Sequence, residues 1–303
     1  MITQQVISVF DKLTWDWKGY KIGYTVMGTG QPLVLIHGFG ASIGHWRKNI
    51  PVLAAAGYQV FAIDLLGFGS SDKPPLNYTM ELWEELVKDF WTAHIQQRAV
   101  FVGNSIGGLL SLMVVANHPE IAVGAVLINC AGGLSHRPHE LNPPLRLVMG
   151  AFNRLLRSKI TGKVLFNRVR QKGQIRRSLM QVYRDRTAVT DELVDLLYQP
   201  SCDAGAQQVF VSILTAPPGP TPAQLLPKVK CPLLVIWGEA DPWTPINGAK
   251  IYQELSNSGQ PVQVKPIANA GHCPHDEAPD KVNPLIIDWL TQTVIPSGDK
   301  SKN

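Results

Sequence analysis

The seven residues 102–108, Val-Gly-Asn-Ser-Ile-Gly-Gly, carry more information about the fold than any other stretch of this chain. They follow an apolar run at 99–102 that is typical of a buried strand, and they precede a helix-like run at 109–117. Between a strand and a helix, Gly-x-Ser-x-Gly predicts a sharp turn that lifts the hydroxyl of Ser105 clear of the sheet. Glycine is expected at both ends of this pattern, because so tight a turn leaves no room for a Cβ atom. The stretch therefore predicts a nucleophilic serine.

A serine hydroxyl is a weak nucleophile until a base removes its proton, and the base needs an acid to orient it. The strand-like run 232–238 ends in a turn that holds two candidate acids, Glu239 and Asp241. A second strand-like run at 262–267 precedes His272, the candidate base. Both groups follow strands, and ligands gather at that edge of open α/β sheets. The chain order of serine, acid and histidine is also the order in which these groups follow a turn of this kind.

A second glycine-rich turn, His-Gly-Phe-Gly at 37–40, follows the apolar run 32–36. Such a turn can present a backbone N–H group to the oxygen that becomes negatively charged when a carbonyl is attacked. We expect the amides of Phe39 and Ile106 to form this oxyanion hole.

Strand-like and helix-like runs alternate up to about residue 131 and again from residue 233, which predicts βαβ units and a parallel sheet with helices on both faces. The stretch between them breaks this alternation. The sequence therefore predicts a core made of residues 1–132 and 227–303, with a helical cap inserted at 133–226.

The inserted stretch is strongly basic. Residues 141–184 contain 11 Lys or Arg and no Asp or Glu, and residues 133–200 have a net charge of +8, whereas the rest of the chain has −3. One interpretation is a solvated face of amphipathic helices. The other is contact of the cap with an anionic membrane surface, which attracts segments that combine basic and apolar residues. A nucleic-acid partner is not expected, because no binding fold accompanies the charge.

Composition and motifs argue against several other classes. The four cysteines have neither the spacing of a disulfide framework nor that of a metal site, so we expect reduced thiols and no metal. No phosphate-binding glycine motif is present, and we expect no cofactor. We find no signal peptide and no apolar run that could span a bilayer. We therefore predict a cytoplasmic or plastid stromal protein that is peripheral to a membrane such as the thylakoid. The residues do not specify an oligomeric state.

With these motifs in place, the chain resembles the α/β-hydrolases over about residues 10–295. The resemblance implies an eight-stranded, mostly parallel sheet with an inserted helical cap. It implies that Ser105 is the nucleophile and His272 the base, and the family's spacing favours Asp241 over Glu239 as the acid. Haloalkane dehalogenases and epoxide hydrolases have Asp at the position of Ser105, which argues against both activities.

Two shorter stretches, 238–245 and 271–279, resemble the pheophytinase and chlorophyll dephytylase group, which releases phytol from chlorophyll-type pigments. This resemblance implies a small hydrophobic molecule as substrate, namely a carboxylic ester with a large hydrophobic part, such as the phytol ester of pheophytin or chlorophyll. Asn104, before the nucleophile, also occurs in the carbon–carbon bond hydrolases of meta-cleavage products, which are an alternative. A further alternative is a ligand-sensing receptor of the same fold.

We expect the remaining polar residues to have structural roles and none in catalysis. Asp64 and Asp72 are predicted to hold a turn through side-chain hydrogen bonds. His275 is predicted to be a loop residue. The other histidines outside the turn at 37–40 are predicted to lie on the surface or in loops, namely His45, His94, His118, His136 and His139.

Overall fold

The computed structural model describes residues 11–134, 156 and 158–293. Eight strands form one sheet in the order β1-β2-β4-β3-β5-β6-β7-β8. Their bounds are Leu13–Trp17 (β1), Tyr20–Met27 (β2), Gln31–Ile36 (β3), Tyr58–Ile63 (β4), Ala99–Asn104 (β5), Ala122–Ile128 (β6), Leu233–Gly238 (β7) and Val262–Ile267 (β8). The pairs β1–β2 and β2–β4 are antiparallel, and the other five pairs are parallel. The predicted eight-stranded, mostly parallel sheet is confirmed.

The central strands are buried on both faces, as expected for parallel strands covered by helices. In β3, Val34 and Ile36 pack into one apolar cluster, and Leu33 and Leu35 pack into another. Successive side chains of a strand point to opposite faces, so these two clusters are the cores on the two sides of the sheet. The first is covered mainly by helices Met80–His94 and Ile106–Asn117, and the second by Ile50–Ala55 and Pro279–Thr293.

Two α-helices of the core follow a short 3-10 helix. The 3-10 helix Ile43–Trp46 is followed by the α-helix Ile50–Ala55. Pro51 lies in the first turn of the α-helix, where a missing N–H is tolerated, and it cannot sit inside a longer helix without breaking a hydrogen bond. Likewise, a 3-10 helix Ile246–Ala249 precedes the α-helix Lys250–Asn257.

The stretch between β6 and β7, which we call the insertion, is helical where it is described. Its α-helices are Lys159–Val169, Lys172–Val182, Asp191–Ser201, Ala206–Leu214 and Pro222–Leu225. The second and third of these helices pack in a small apolar cluster that also includes Cys273 of the core. The first part of the basic stretch, residues 141–155, lies outside the described residues. Within residues 11–134 and 158–293, no helix combines the length and the apolarity needed to cross a bilayer.

Candidate active site

Ser105 lies in the turn between β5 and the helix Ile106–Asn117, with φ of 58° and ψ of −119°. This conformation is unfavourable for a residue with a Cβ atom, and it persists only where the surroundings enforce it. An ideal Cβ at Gly103 would lie 2.0 Å from the Gly107 carbonyl oxygen, and one at Gly107 would lie 2.3 Å from that of Ile36. The glycines are therefore required by close backbone contacts, as the sequence predicts.

Two backbone hydrogen bonds fix the turn against the neighbouring strand. The Ser105 N–H donates to the carbonyl of Ile128 at 3.0 Å, and the Ala131 N–H donates to the carbonyl of Ser105 at 3.1 Å. Both the N–H and the carbonyl group of the strained serine are thus bonded to residues at or just after the end of β6.

His272 and Asp241 form a buried pair, in which the Nδ1 atom of His272 lies 2.6 Å from Oδ2 of Asp241. Asp241 also accepts hydrogen bonds from Asn129 Nδ2 at 2.6 Å, from the Trp243 amide at 2.7 Å, and from the hydroxyl of Thr244. Burial alone would raise the pKa of Asp241, but the hydrogen bonds and the charge of His272 outweigh it and lower this pKa. Asp241 is therefore held as a carboxylate, which orients the imidazole.

The structure distinguishes the two candidate acids. Glu239 is exposed, and among the residues that the structure describes it makes no hydrogen bond to His272. The carboxylate beside the histidine is that of Asp241. Asn129, which supports Asp241, has a positive φ of 44° and also accepts a hydrogen bond from the Gly238 amide at 3.0 Å. Sequence reasoning missed Asn129, because it follows β6 without any recognisable motif.

Ser105 and His272 line the same cavity. In the described part of the chain, no hydrogen bond joins the Ser105 hydroxyl to His272. The segments that carry these two residues are nevertheless connected through Asn104. The side-chain amide of Asn104 donates to the carbonyl of His272 at 3.0 Å and to that of Ile128 at 3.2 Å. Hydrogen bonds between catalytic groups are often long or poorly aligned before substrate binds, so this geometry is compatible with a catalytic pair.

The two amides expected to form the oxyanion hole belong to residues that also line this cavity. Within the described residues, neither the Phe39 N–H nor the Ile106 N–H donates to a protein acceptor. The turn that carries Phe39 lies against the nucleophile, because an ideal Cβ at Gly38 would be 3.3 Å from Cβ of Ser105.

His37 holds that turn in place. Its Nε2 accepts a hydrogen bond from the Leu65 amide at 3.0 Å, so the proton lies on Nδ1, which donates to the Gly38 carbonyl at 2.8 Å. Burial lowers the pKa of His37, although the nearby Asp64 opposes this shift. Asp64 itself accepts from the amides of Ile43 and Ser70, at 2.7 and 2.8 Å. The prediction that Asp64 holds a turn is confirmed.

The cavity has a volume of about 500 Å³ and lies between the sheet edge and the insertion. Its wall is mostly apolar and includes Phe39, Phe68, Phe166, Val169, Leu179, Val209, Phe210, Ile213 and Trp243. Pockets of this size and composition bind ligands with extensive apolar surface. The cavity also has two cationic residues. Lys73 is paired with Asp203 at 2.8 Å, whereas Arg170 has no carboxylate partner among the described residues.

The predicted surface or loop location is wrong for two histidines. His45 is buried beneath the insertion, where its Nε2 lies 2.8 Å from the hydroxyl of Tyr183. His275 is fully buried in the short helix Pro274–Glu277 and packs against Trp46, with ring centroids 4.3 Å apart and the ring planes tilted by 38°. His94 and His118 are half-buried, and His136 and His139 lie outside the described residues. Across residues 11–134 and 158–293, no group of three or more His, Cys, Asp or Glu side chains converges as a metal site would require.

Comparison with known proteins places this chain among hydrolases. The model of the alpha/beta hydrolase family matches residues 33–285. The chain is 29% identical to chloroplastic pheophytinase of Arabidopsis thaliana, over 86% of this chain and 61% of that protein. It is 26% identical to 2-hydroxy-6-oxo-6-phenylhexa-2,4-dienoate hydrolase of Comamonas testosteroni, over 96% of this chain and 99% of that one. A solved meta-cleavage product hydrolase from Pseudomonas fluorescens superposes with a TM-score of 0.72 at 26% identity, over 90% of this chain and 95% of that chain.

Proposed function

Because the chain belongs to the α/β-hydrolase family, we propose that Ser105, His272 and Asp241 form a catalytic triad that hydrolyses a carboxylic ester with a large hydrophobic part. The observation that carries this proposal is that His272, whose Nδ1 lies 2.6 Å from the buried Asp241 carboxylate, lines one apolar cavity together with the strained Ser105. The position of pheophytinase among the relatives supports an ester substrate, and the phytol ester of pheophytin or chlorophyll is our candidate.

The proposed reaction has two halves. His272 takes the proton of Ser105 as the hydroxyl oxygen attacks the ester carbonyl, and the amides of Phe39 and Ile106 stabilise the oxyanion that forms. The carbon–oxygen bond of the leaving alcohol then breaks, and His272 returns the proton to that alcohol. In the second half, water attacks the acyl-enzyme by the same route and releases the acid and free Ser105. Asp241 stabilises the imidazolium in both halves.

In this proposal, residues 133–226 form a cap over a core made of residues 1–132 and 227–303. The cap provides the contact with a membrane. On the helix Lys159–Val169, Ile160 and Val164 are 77% and 65% exposed and lie one turn apart on the same face. Lys163 and Arg168 on this helix are exposed as well. Apolar and basic side chains together favour the interface of an anionic bilayer, where a lipophilic ester partitions.

A second candidate is hydrolysis of the carbon–carbon bond of a meta-cleavage product. The observation that favours it is Arg170, a cavity-lining cation that has no carboxylate partner in the described residues and that can pair with a substrate carboxylate. The hydrolases from Comamonas and Pseudomonas among the relatives support the same reading.

A substrate panel separates these functions. Purified protein is assayed with pheophytin, with chlorophyll, with p-nitrophenyl esters of rising chain length and with a dienol-keto acid, each beside a Ser105→Ala variant. The proposal predicts turnover of the esters that rises with acyl length and is lost in the variant. Turnover of the dienol-keto acid alone favours the second candidate, and binding without turnover of any of them favours a ligand-sensing receptor.

A further inference from the structure

Residues 182–185, which begin at the last residue of the helix Lys172–Val182 and which we call the return segment, lie against the loop that carries His272. The carbonyl of Val182 accepts a hydrogen bond from the backbone N–H of His272 at 2.8 Å. An ideal Cβ at Gly271 would lie 1.9 Å from the same carbonyl oxygen. Glycine before the histidine is therefore what permits the insertion to reach the backbone of the candidate base.

Glu277 joins the same two segments through its side chain. One carboxylate oxygen, Oε2, accepts the N–H of Gly271 at 2.7 Å, and the other, Oε1, accepts the N–H of Asp185 at 2.5 Å. Hydrogen bonds to an ionised acceptor are stronger than those between neutral groups. A single carboxylate thus holds the residue before His272 and a residue of the return segment at the same time.

The helix Pro274–Glu277 is also fixed by Asp276, through contacts that do not involve Glu277. This fully buried carboxylate accepts a hydrogen bond from Tyr183 of the return segment at 2.8 Å, and it pairs with Arg47 at 2.9 Å and with Lys48 at 3.2 Å. Burial alone would raise the pKa of Asp276, but the neighbouring His45, the cations Arg47 and Lys48, and the hydrogen bond of Tyr183 outweigh it and lower this pKa. We therefore expect the helix to stay in place when the bonds of Glu277 are removed.

We propose that Glu277 is a positioning residue for His272: its carboxylate sets the place of the histidine backbone relative to Ser105 and ties that place to the return segment. Glu277 touches no reacting atom and acts through Gly271. Because the carboxylate holds both segments, a displacement of the return segment displaces Gly271 and His272 with it. This inference rests on the proposed roles of Ser105 and His272.

The test compares Glu277→Gln with Asp280→Asn. Glutamine has the size of glutamate but presents an NH₂ group to one of the two backbone N–H groups, whereas Asp280 is exposed three residues further along the chain and serves as a charge-matched control. We expect kcat for a soluble p-nitrophenyl ester to fall about tenfold in Glu277→Gln, with KM changed by less than about twofold, because a small misplacement of the base slows the reaction without weakening binding. The control keeps both constants.

A second readout follows His272 without requiring turnover. The proton on Nδ1 of His272, held against Asp241, gives a low-field proton resonance, and we expect this resonance to shift in Glu277→Gln and to stay in Asp280→Asn. If the wild-type protein hydrolyses no ester, the proposed function fails, while the shift still decides the positioning role.

Wild-type kcat with an unshifted resonance in Glu277→Gln would overturn the proposal. A loss of kcat with an unshifted resonance would also overturn it, because the effect would then not pass through His272. If Glu277→Gln does not fold, Glu277→Asp replaces it, which keeps the charge but shortens the reach. We expect an intermediate kcat and a smaller shift for that variant, and wild-type values for both would contradict the role.

Discussion

The side-chain amide of Asn104 donates a hydrogen bond to the carbonyl oxygen of His272 at 3.0 Å. Asn104 immediately precedes Ser105, so this bond connects the turn of the proposed nucleophile to the loop of the proposed base. The same amide donates to the carbonyl of Ile128 at the end of β6. One side chain at the end of β5 is therefore bonded both to the end of β6 and to the loop that follows β8. The relative positions of Ser105 and His272 therefore depend on a residue that is not part of the triad.

Replacing Asn104 by alanine should weaken both catalysis and stability. The variant leaves the buried carbonyl of His272 without its donor, which costs about 1–3 kcal/mol of unfolding free energy. We expect kcat to fall about tenfold with KM nearly unchanged, because the base is misplaced and the cavity is not. Initial rates and urea unfolding measure the two effects. Asn117→Ala, which removes an exposed amide bonded to Glu84, is the control. Wild-type kcat in Asn104→Ala would show that the bond does not position His272.

The assignment of the acid predicts unequal effects at two neighbouring positions. Asp241→Asn should lower kcat by about ten thousandfold, because an amide stabilises neither the correct tautomer nor the imidazolium of His272. Glu239→Gln should leave kcat unchanged, since Glu239 is exposed and makes no hydrogen bond to His272 among the described residues. Steady-state kinetics on one soluble ester compare the two. The reverse ranking would make Glu239 the acid.

The buried His45 predicts that acid destabilises the protein. Burial lowers the pKa of His45 from 6.5 to about 4, although the carboxylate of Asp276 opposes this shift. Between these pH values the imidazole binds a proton in the unfolded chain and not in the folded one, so stability falls as pH falls through this window. The shift corresponds to about 3 kcal/mol of unfolding free energy.

Urea unfolding of the wild-type protein and of His45→Gln, from pH 7 to pH 4, measures this contribution. Glutamine can still donate to the hydroxyl of Tyr183 but does not titrate. The wild-type protein should therefore lose stability relative to the variant as pH falls. A difference that stays constant with pH would show that His45 does not titrate in this way.

Much of the site was predictable because its signals are local. The glycines around Ser105, the apolar strands and the placement of Asp241 and His272 after strands are each encoded within about ten residues. The sheet could be predicted for the same reason. Asp241 could be separated from Glu239 only through the family's spacing, since both lie in one turn.

The remaining features depend on contacts between distant parts of the chain. His45 is buried beneath the insertion and contacts Tyr183, and Glu277 accepts hydrogen bonds from Gly271, six residues away, and from Asp185, 92 residues away. No periodicity or turn pattern reveals such pairings. The signal that could have been used is Gly271, since a glycine beside a candidate base marks a close approach of another backbone.

The proposed membrane contact predicts that two charges of the insertion control binding to anionic vesicles. Lys163→Gln combined with Arg168→Gln should weaken binding about thirtyfold at low salt, at about 1 kcal/mol for each charge. Turnover of a soluble ester should not change. Lys250→Gln combined with Lys265→Gln removes two exposed charges of the core, outside the insertion, and should have no effect. Co-sedimentation with vesicles over a range of salt concentrations measures binding. Equal binding by both double variants, or binding that is insensitive to salt, would contradict the proposed contact.

The central claim is that Ser105 is the nucleophile, and the rate of p-nitrophenyl ester hydrolysis by Ser105→Ala tests it most directly. Removing the hydroxyl leaves only binding and the oxyanion amides, so the rate should fall by more than about a thousandfold while the variant remains folded. A Ser105→Ala protein that is folded and hydrolyses the ester at the wild-type rate would contradict the claim.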